Sequence, residues 1–350
     1  MRKIATAALF RAVQALLFPI AALAYIPSVM HMVAYSHRTG VSATVLGSLY
    51  TRYMQHRLHT RRDEAAGRVT MVMPNVPHLG WHLLTAPTLA AHRLTRYVPR
   101  IYRYPYQGVP PMNHRPAART TFYDQVLERH LADVEQLVVL GAGFDTRAYR
   151  LPEDAGLGCF EVDQPQTQAF KREMLRRAGV DSRRVTYVAA DLEQKDWFEQ
   201  LADAGFAPGE RSVFLWESVT MSLDREAVES TLRKIAETAP GTIVAFDYVS
   251  TGLVASRSPF MCYTRAVLRV TGEPWRFGIE NTPPARNRVA AFLESCGLAL
   301  EEHRTFGAET NRKGAPAGFA TAIVPRRGER AGAASATPSD MSAPSAPEKF

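Results

Sequence analysis

The residues able to do chemistry sit at the ends of apolar runs. Leu137-Val138-Val139-Leu140 leads into Gly141-Ala142-Gly143. Four apolar residues in a row suit a strand covered on both faces. The two glycines permit a tight turn that a ligand can approach closely, and a helix is expected to open after it. A second run, Cys159-Phe160-Glu161-Val162-Asp163, ends in an acid 20 residues after Gly143. That is close to the spacing of about 20 at which a strand-end carboxylate meets a ribose diol. A third run, Val185-Thr186-Tyr187-Val188-Ala189-Ala190, ends at Asp191-Leu192, where a carboxylate can accept from the exocyclic amine of adenine. The dinucleotide fingerprint needs a third glycine where this chain has Thr146, so that pattern fails. One glycine turn with two strand-end acids suits a mononucleoside, such as the adenosine of S-adenosylmethionine (SAM). The bland alternative is a plain α/β domain with helix-capping acids.

Val139-Leu-Gly-Ala-Gly-Phe-Asp-Thr-Arg-Ala-Tyr-Arg-Leu151 resembles the signature of the leucine carboxyl methyltransferase family. Ala118-Arg119-Thr120-Thr121-Phe122-Tyr123-Asp124 resembles that family's segment before the first strand, Phe160-Glu161-Val162-Asp163-Gln164-Pro165 its second-strand motif, and Trp216-Glu217-Ser218-Val219-Thr220-Met221-Ser222-Leu223 its fourth-strand motif. The resemblance covers about residues 115–325 and implies a class I SAM-dependent methyltransferase. It implies that Arg119 pairs with the methionine carboxylate of SAM, a contact that a planar guanidinium makes in bidentate form. It further implies that Gly141 passes under the methionine moiety, Asp163 holds the ribose, Asp191 and Leu192 bind adenine, and Glu217 lies near the methionine amine. Asp145 and Arg147 read as a pair that orients the turn. Where the family has a glycine after the glutamate and an aromatic before the last leucine, this chain has Ser218 and Ser222. The first change narrows the space beside the cofactor, and the second removes a wall near the acceptor.

Methyl transfer from a sulfonium asks the protein to align three atoms and exclude water. A carboxylate acceptor is ionised at neutral pH and needs no base. A phenol or alcohol needs one. His78, His82, His92 and His114 are the candidates, all in the N-terminal third, and none stands out as catalytic. A carboxylate on a small apolar metabolite, polyketide or fatty-acid-like, is therefore the expected acceptor. A phenol or alcohol O-methyltransferase of natural-product biosynthesis is the alternative, and a non-catalytic, membrane-associated SAM-binding protein is a third reading.

The elements that must hold these residues follow from the same pattern. The chain of 350 residues can bury a full α/β domain with extra elements. Arg211–Trp216 and Gly241–Tyr248 read as the fourth and fifth strands, with a helix over Asp224–Ala239. Asn287–Cys296 reads as a helix with Asn287 as N-cap and Gly297 ending it. Leu298–His303 and Gly318–Val324 read as a terminal antiparallel pair. The expected fold is a Rossmann-like methyltransferase sheet, mostly parallel, behind a helical N-terminal extension and cap. The expected divisions are an apolar extension over 1–62, a cap over 63–115, the SAM-binding domain over 116–325 and a disordered tail over 326–350, where large apolar residues are nearly absent.

Cys159, Cys262 and Cys296 form no disulfide framework and no metal-ligand spacing. No metal is expected, and a reducing cytosol is the expected compartment. The net charge of +8 raises nucleic acid or an anionic membrane as partners, but no arginine–aromatic array reads as a stacking platform, which argues against nucleic acid. Residues 12–35 contain no Asp, Glu, Lys or Arg and are long enough to span a bilayer, though Pro19 and Pro27 would break or kink a buried helix. Ala22-Leu23-Ala24 resembles a cleavage site, but a secreted SAM enzyme would lack its cofactor. Arg52, Arg57, Arg61 and Arg62 follow. The segment reads as a lid, a dimer surface, helices in peripheral contact with a membrane or a lipid-like substrate, or a true spanning helix. Tyr97-Val98-Pro99-Arg100-Ile101-Tyr102-Arg103-Tyr104-Pro105-Tyr106 reads either as an acceptor-pocket wall or as a proline-rich connector pinned by its tyrosines, and Trp81 and Trp275 as apolar wall. Acceptor identity and oligomeric state are left open.

Overall fold

The computed structural model describes residues 2–39, 45–75, 77–152, 156–270 and 274–326. Four helices come first: α1 (Arg2–Thr39), α2 (Val45–Arg57), α3 (Glu64–Val72) and α4 (His78–Thr95). Then follow α5 (Arg115–His130), β1 (Gln136–Leu140), β2 (Gly158–Asp163), α6 (Pro165–Arg177), β3 (Val185–Ala189), α7 (Trp197–Asp203), β4 (Ser212–Trp216), α8 (Arg225–Ala236), β5 (Ile243–Val249), α9 (Thr251–Ala255), α10 (Pro259–Val270), α11 (Ala285–Ser295), β6 (Ala299–Phe306) and β7 (Ala317–Ile323). The seven strands form one sheet in the order β3-β2-β1-β4-β5-β7-β6. β1 to β5 are parallel, and β7 runs antiparallel to both β5 and β6.

β1, β4 and β5 are buried along their whole length, as continuous apolar runs require. Their side chains alternate between two cores. Val138 and Leu140 pack with Leu201 of α7, Leu232 and Ile235 of α8 and Leu293 of α11. Leu137 and Val139 pack with Phe122 and Val126 of α5. A further cluster joins the N-terminal helices to the glycine turn: Leu49 of α2, Val69 of α3 and Trp81 of α4 meet Phe144 and Met174.

Three expectations are corrected. No α-helix opens after the glycine turn among the described residues; one 3₁₀ turn, Ala148–Arg150, lies between it and β2. The Asp145 N–H closes the turn onto Ala142 O at 2.7 Å, and the buried Asp145 and Arg147 side chains face partners elsewhere, which leaves no free helix face before Pro152. α11 starts at Ala285, so Asn287 lies inside it. The Glu309 carboxylate, from a distant loop, accepts the Ala285 N–H at 3.2 Å and replaces a local cap. Gly297, at φ +84°, does end it. Finally, α1 runs unbroken through Pro19 and Pro27. Both prolines are exposed, so the carbonyls they free are not enclosed by protein. The tail expected over 326–350 lies outside the described residues except for Arg326.

Candidate functional site

Strand order reverses between β1 and β4, which opens a crevice at their carboxyl ends. Gly141 leaves β1 there at φ +59°. A Cβ on it would lie 2.4 Å from Val219 Cγ2, so the two strand exits close against each other only around a glycine. The Ala142 N–H donates to Val162 O, and the Gly143 N–H donates to Asp163 Oδ2 at 2.5 Å. The Gln164 N–H takes the other Asp163 oxygen at 2.7 Å. The acid is thereby fixed at the end of β2, beside the turn. One strand further out, the half-exposed Asp191 accepts from the Glu193 N–H, and Leu192 is buried in the core. Among the described residues Asp191 joins the turn indirectly, through Ala190 N–H to Asp163 O at 2.9 Å.

Glu217 stands at the end of β4, across the crevice from Gly141. Arg52 and Arg147 both donate to its Oε2, at 2.7 and 2.6 Å. Among the described residues no hydrogen bond reaches its Oε1. Arg119 is buried on α5 and donates to Asp247 Oδ2 at 2.9 Å. Arg115, one turn earlier, donates to the same oxygen at 2.6 Å. Two guanidiniums on one carboxylate leave an excess positive charge, and the buried Nε of each has no partner. Asp247 Oδ1 accepts from the Ser218 N–H at 2.6 Å and from Tyr123 Oη at 3.1 Å, so this cationic group is bound directly to the residue after Glu217. Ser218 adopts φ +66°, the region that favours glycine, which is why a glycine is the easier residue at this place. Beside Ser222, Arg276 and Phe277 N–H both donate to Met221 O, and Trp275 packs in the same apolar cluster as Met221.

Sequence reasoning missed most of what surrounds these residues. Asp247 carried a signal, since it is a lone acid in the fully buried run Ile243–Val249. Arg52 and Arg61 carry none, and in the sequence nothing sets them apart from Arg57 and Arg62. Arg52 and Arg61 are both buried. Arg52 reaches Asp145 at 3.1 Å and Phe144 O at 3.1 Å. Arg61 bridges Asp63 and Asp124, and Arg147 ties Asp124 at 2.8 Å to Asp145. Helix periodicity turns Arg52 inward on α2; Arg61 and Arg62 both lie beyond its end, where Arg61 turns in to Asp63 and Asp124 and Arg62 pairs with exposed Glu64. Of the four histidines, His78 and His82 are exposed on α4, His92 is held by Tyr97 O, and His114 Nδ1 meets Tyr106 Oη at 2.9 Å. The tyrosines pin the connector: Tyr97 packs on Phe10, Tyr102 on Tyr50, and Arg61 lies over Tyr104.

Burial works against ionising Asp124, Asp145 and Asp247, yet neighbouring guanidiniums outweigh it. Arg147 and Arg61 hold Asp124 far below the usual carboxylate range, and Arg147 and Arg52 do the same for Asp145. Arg119 and Arg115 hold Asp247 at about 2. A carboxyl that titrates lower in the folded chain than the ordinary value of about 3.9 adds stability above that value and loses it as the pH falls through its folded pKa. Urea midpoints are therefore expected to be flat from about pH 7 to 5 and to drop steeply between about pH 4 and 2. An acid limb centred near pH 6 would contradict this assignment.

Comparison with known proteins agrees with the resemblance. Residues 90–236 match the family model for leucine carboxyl methyltransferase. A protein of Parafrankia sp. (strain EAN1pec), named for S-adenosyl-L-methionine-dependent methyltransferase activity, is 35% identical over 208 residues, which are 57% of this chain and 65% of that one. A similarly named protein of Frankia alni is 42% identical over 134 residues, 37% of this chain and 47% of its own. The chain spans less than two thirds of either relative. An O-methyltransferase family protein from Burkholderia thailandensis overlaps 61% of this chain and 60% of its own, with TM-score 0.42 and 13% identity.

Proposed function

We propose that this chain, whose residues 90–236 match the family model for leucine carboxyl methyltransferase, is a SAM-dependent methyltransferase that acts on a carboxylate of a small apolar metabolite in the cytoplasm. The observation that carries the reading is the crevice between β1 and β4, where a glycine turn, two acids and an under-neutralised arginine pair meet. The residues fit SAM. The unpartnered Nε of buried Arg119 would donate to its carboxylate, and the Oε1 of Glu217 would accept from its amine. Gly141 would pass beneath the methionine chain. Asp163 would hold the ribose, and Asp191 and Leu192 the adenine. SAM, when bound, supplies an electrophilic methyl group on a sulfonium.

The protein's own part is positioning and exclusion of water. Arg119 is held by Asp247, which also fixes Ser218 beside Glu217, so the two ends of an amino-acid moiety are presented with a built-in spacing. A carboxylate acceptor arrives ionised and asks for no base, which suits a site whose described histidines are exposed or already hydrogen-bonded. One observation supports a phenol or alcohol instead. Burial and then Arg100 lower the pKa of His114, keeping the ring neutral next to Arg115 and able to take a proton.

Calorimetric titration with SAM tests the cofactor reading. Wild type is expected to bind, and Asp163→Ala to bind at least about tenfold more weakly, since a hydrogen bond to a charged group contributes about 1.5–3 kcal/mol. Failure of well-folded wild type to bind would overturn the proposal. A labelled-methyl acceptor screen with His114→Ala then separates the two acceptors: slowed turnover supports the phenol, and unchanged turnover the carboxylate.

A further inference from the structure

α1 is apolar on every side, yet only one stripe of it is covered. That stripe runs antiparallel to α4: Phe10 packs on Tyr97 at 5.1 Å, Gln14 Nε2 donates to Thr88 Oγ1 at 3.0 Å, and His31 Nε2 meets Pro74 O at 3.0 Å. The opposite side shows Leu16, Phe18, Leu23 and Ile26, each at least 64% exposed. The apolar stretch Ile4–Ser36 is 33 residues long, and only 6% of its most hydrophobic window is buried. A helix that is hydrophobic all round is stable where apolar material surrounds it, and a patch of this kind marks an interaction site.

Charge says what lies against it. The first 62 residues contain eight lysines and arginines and no acid, and the other 288 carry 34 basic and 34 acidic side chains. The positive excess of the sequence thus lies in its N-terminal extension, although two of the eight, Arg52 and Arg61, are buried against Asp145, Glu217, Asp63 and Asp124. Exposed Arg11 and Arg38 lie on α1 near its two ends, and exposed Arg93 and Arg96 at the end of α4. A second copy docked on this face would oppose like charge to like, because α1 and α2 hold no carboxylate to pair with them.

We propose that the outer face of α1 docks in the plane of an anionic lipid bilayer, with its apolar side chains at the acyl boundary and Arg11 and Arg38 among the phosphates. In-plane docking keeps the α1–α4 contacts intact, whereas spanning would strip Phe10, Gln14 and His31 from their partners.

Sedimentation of the full chain with sucrose-loaded vesicles tests this. Wild type is expected to sediment with phosphatidylcholine–phosphatidylglycerol vesicles, to be released by salt and alkaline carbonate, and to leave pure phosphatidylcholine largely unbound. The combined variant Leu16→Ser, Phe18→Ser, Leu23→Ser and Ile26→Ser is expected to lose more than about a hundredfold in partitioning. Arg11→Glu with Arg38→Glu is expected to lose about tenfold or more on anionic vesicles. All six positions are exposed, and an unchanged thermal transition confirms that each variant is folded. The proposal is overturned if wild type binds neither vesicle, or if carbonate fails to extract it, which means a spanning helix. It is equally overturned by a lipid-free dimer that the serine variant dissolves, or by a mature chain that begins beyond Ala24.

Discussion

Asp247→Ala should cost this protein about 3–5 kcal/mol of stability, because it leaves uncompensated charge in the interior. Asp247 is fully buried on β5 and serves four donors at once: Arg115, Arg119, Tyr123 and the Ser218 N–H. Without it, two guanidiniums on adjacent turns of α5 face each other in a dry site, and each opposes the other's charge. The expected fall in melting temperature is about 10 °C. Asp247→Asn keeps the shape and one acceptor but not the charge, so it should fall between wild type and alanine. Adding Arg115→Met to Asp247→Ala removes one of the two stranded cations and should recover part of the loss, a coupling that only neighbours show. A change below about 1 kcal/mol for Asp247→Ala would mean that water or another anion already neutralises the pair.

Arg52→Met should combine a similar loss of stability with loss of SAM affinity. Arg52 is buried on α2 and reaches three separate groups: the Phe144 carbonyl, Asp145 and Glu217. Methionine fills much of the volume and removes the charge, so the effect reports electrostatics more than a cavity. Asp145 and Glu217 keep Arg147, which limits the cost to about 3 kcal/mol. The more telling readout is a double-mutant cycle with Glu217→Gln, read by unfolding and by SAM titration. A coupling above about 1 kcal/mol in both would make α2 a working part of the crevice. Normal SAM binding by Arg52→Met, with additive stabilities, would reduce it to a brace.

What the sequence announced and what it hid divide along a physical line. β1, β4 and β5 were legible because a strand buried along its whole length is a short apolar run, and a run such as Leu137–Leu140 has few other uses. The glycine turn and the acids at Asp163, Asp191 and Glu217 were legible because they sit at the ends of such runs. The pairings among charged residues were not. Arg52 meets Asp145 across 93 positions and Arg61 meets Asp124 across 63, and nothing local marks either arginine. Arg61 and Arg62 are neighbours in sequence, yet one is buried and the other is 86% exposed along its side chain. The helix expected after Gly143 failed for the same reason: Asp145 and Arg147 answer to distant partners rather than to helix propensity. The α11 cap failed because Glu309, far along the chain, supplies it. α1 was half legible. Its missing charges were plain, but its continuity through two prolines depends on which side of the helix they face.

The arginine carried in from α2 also constrains inheritance. A substitution at position 52 leaves Arg147 as the one guanidinium described on Asp145 and Glu217, and a substitution at 145 leaves Arg52 with Glu217 as its described acid. Neither end of the chain can drift freely without a matching change in the other. A chimera that joined residues 1–62 of a homologue lacking this arginine to the present sheet would receive intact helices and an intact sheet. It would still carry one buried negative charge too many, at the mouth of the crevice. For this chain the natural unit of exchange is therefore the extension together with the turn that it neutralises.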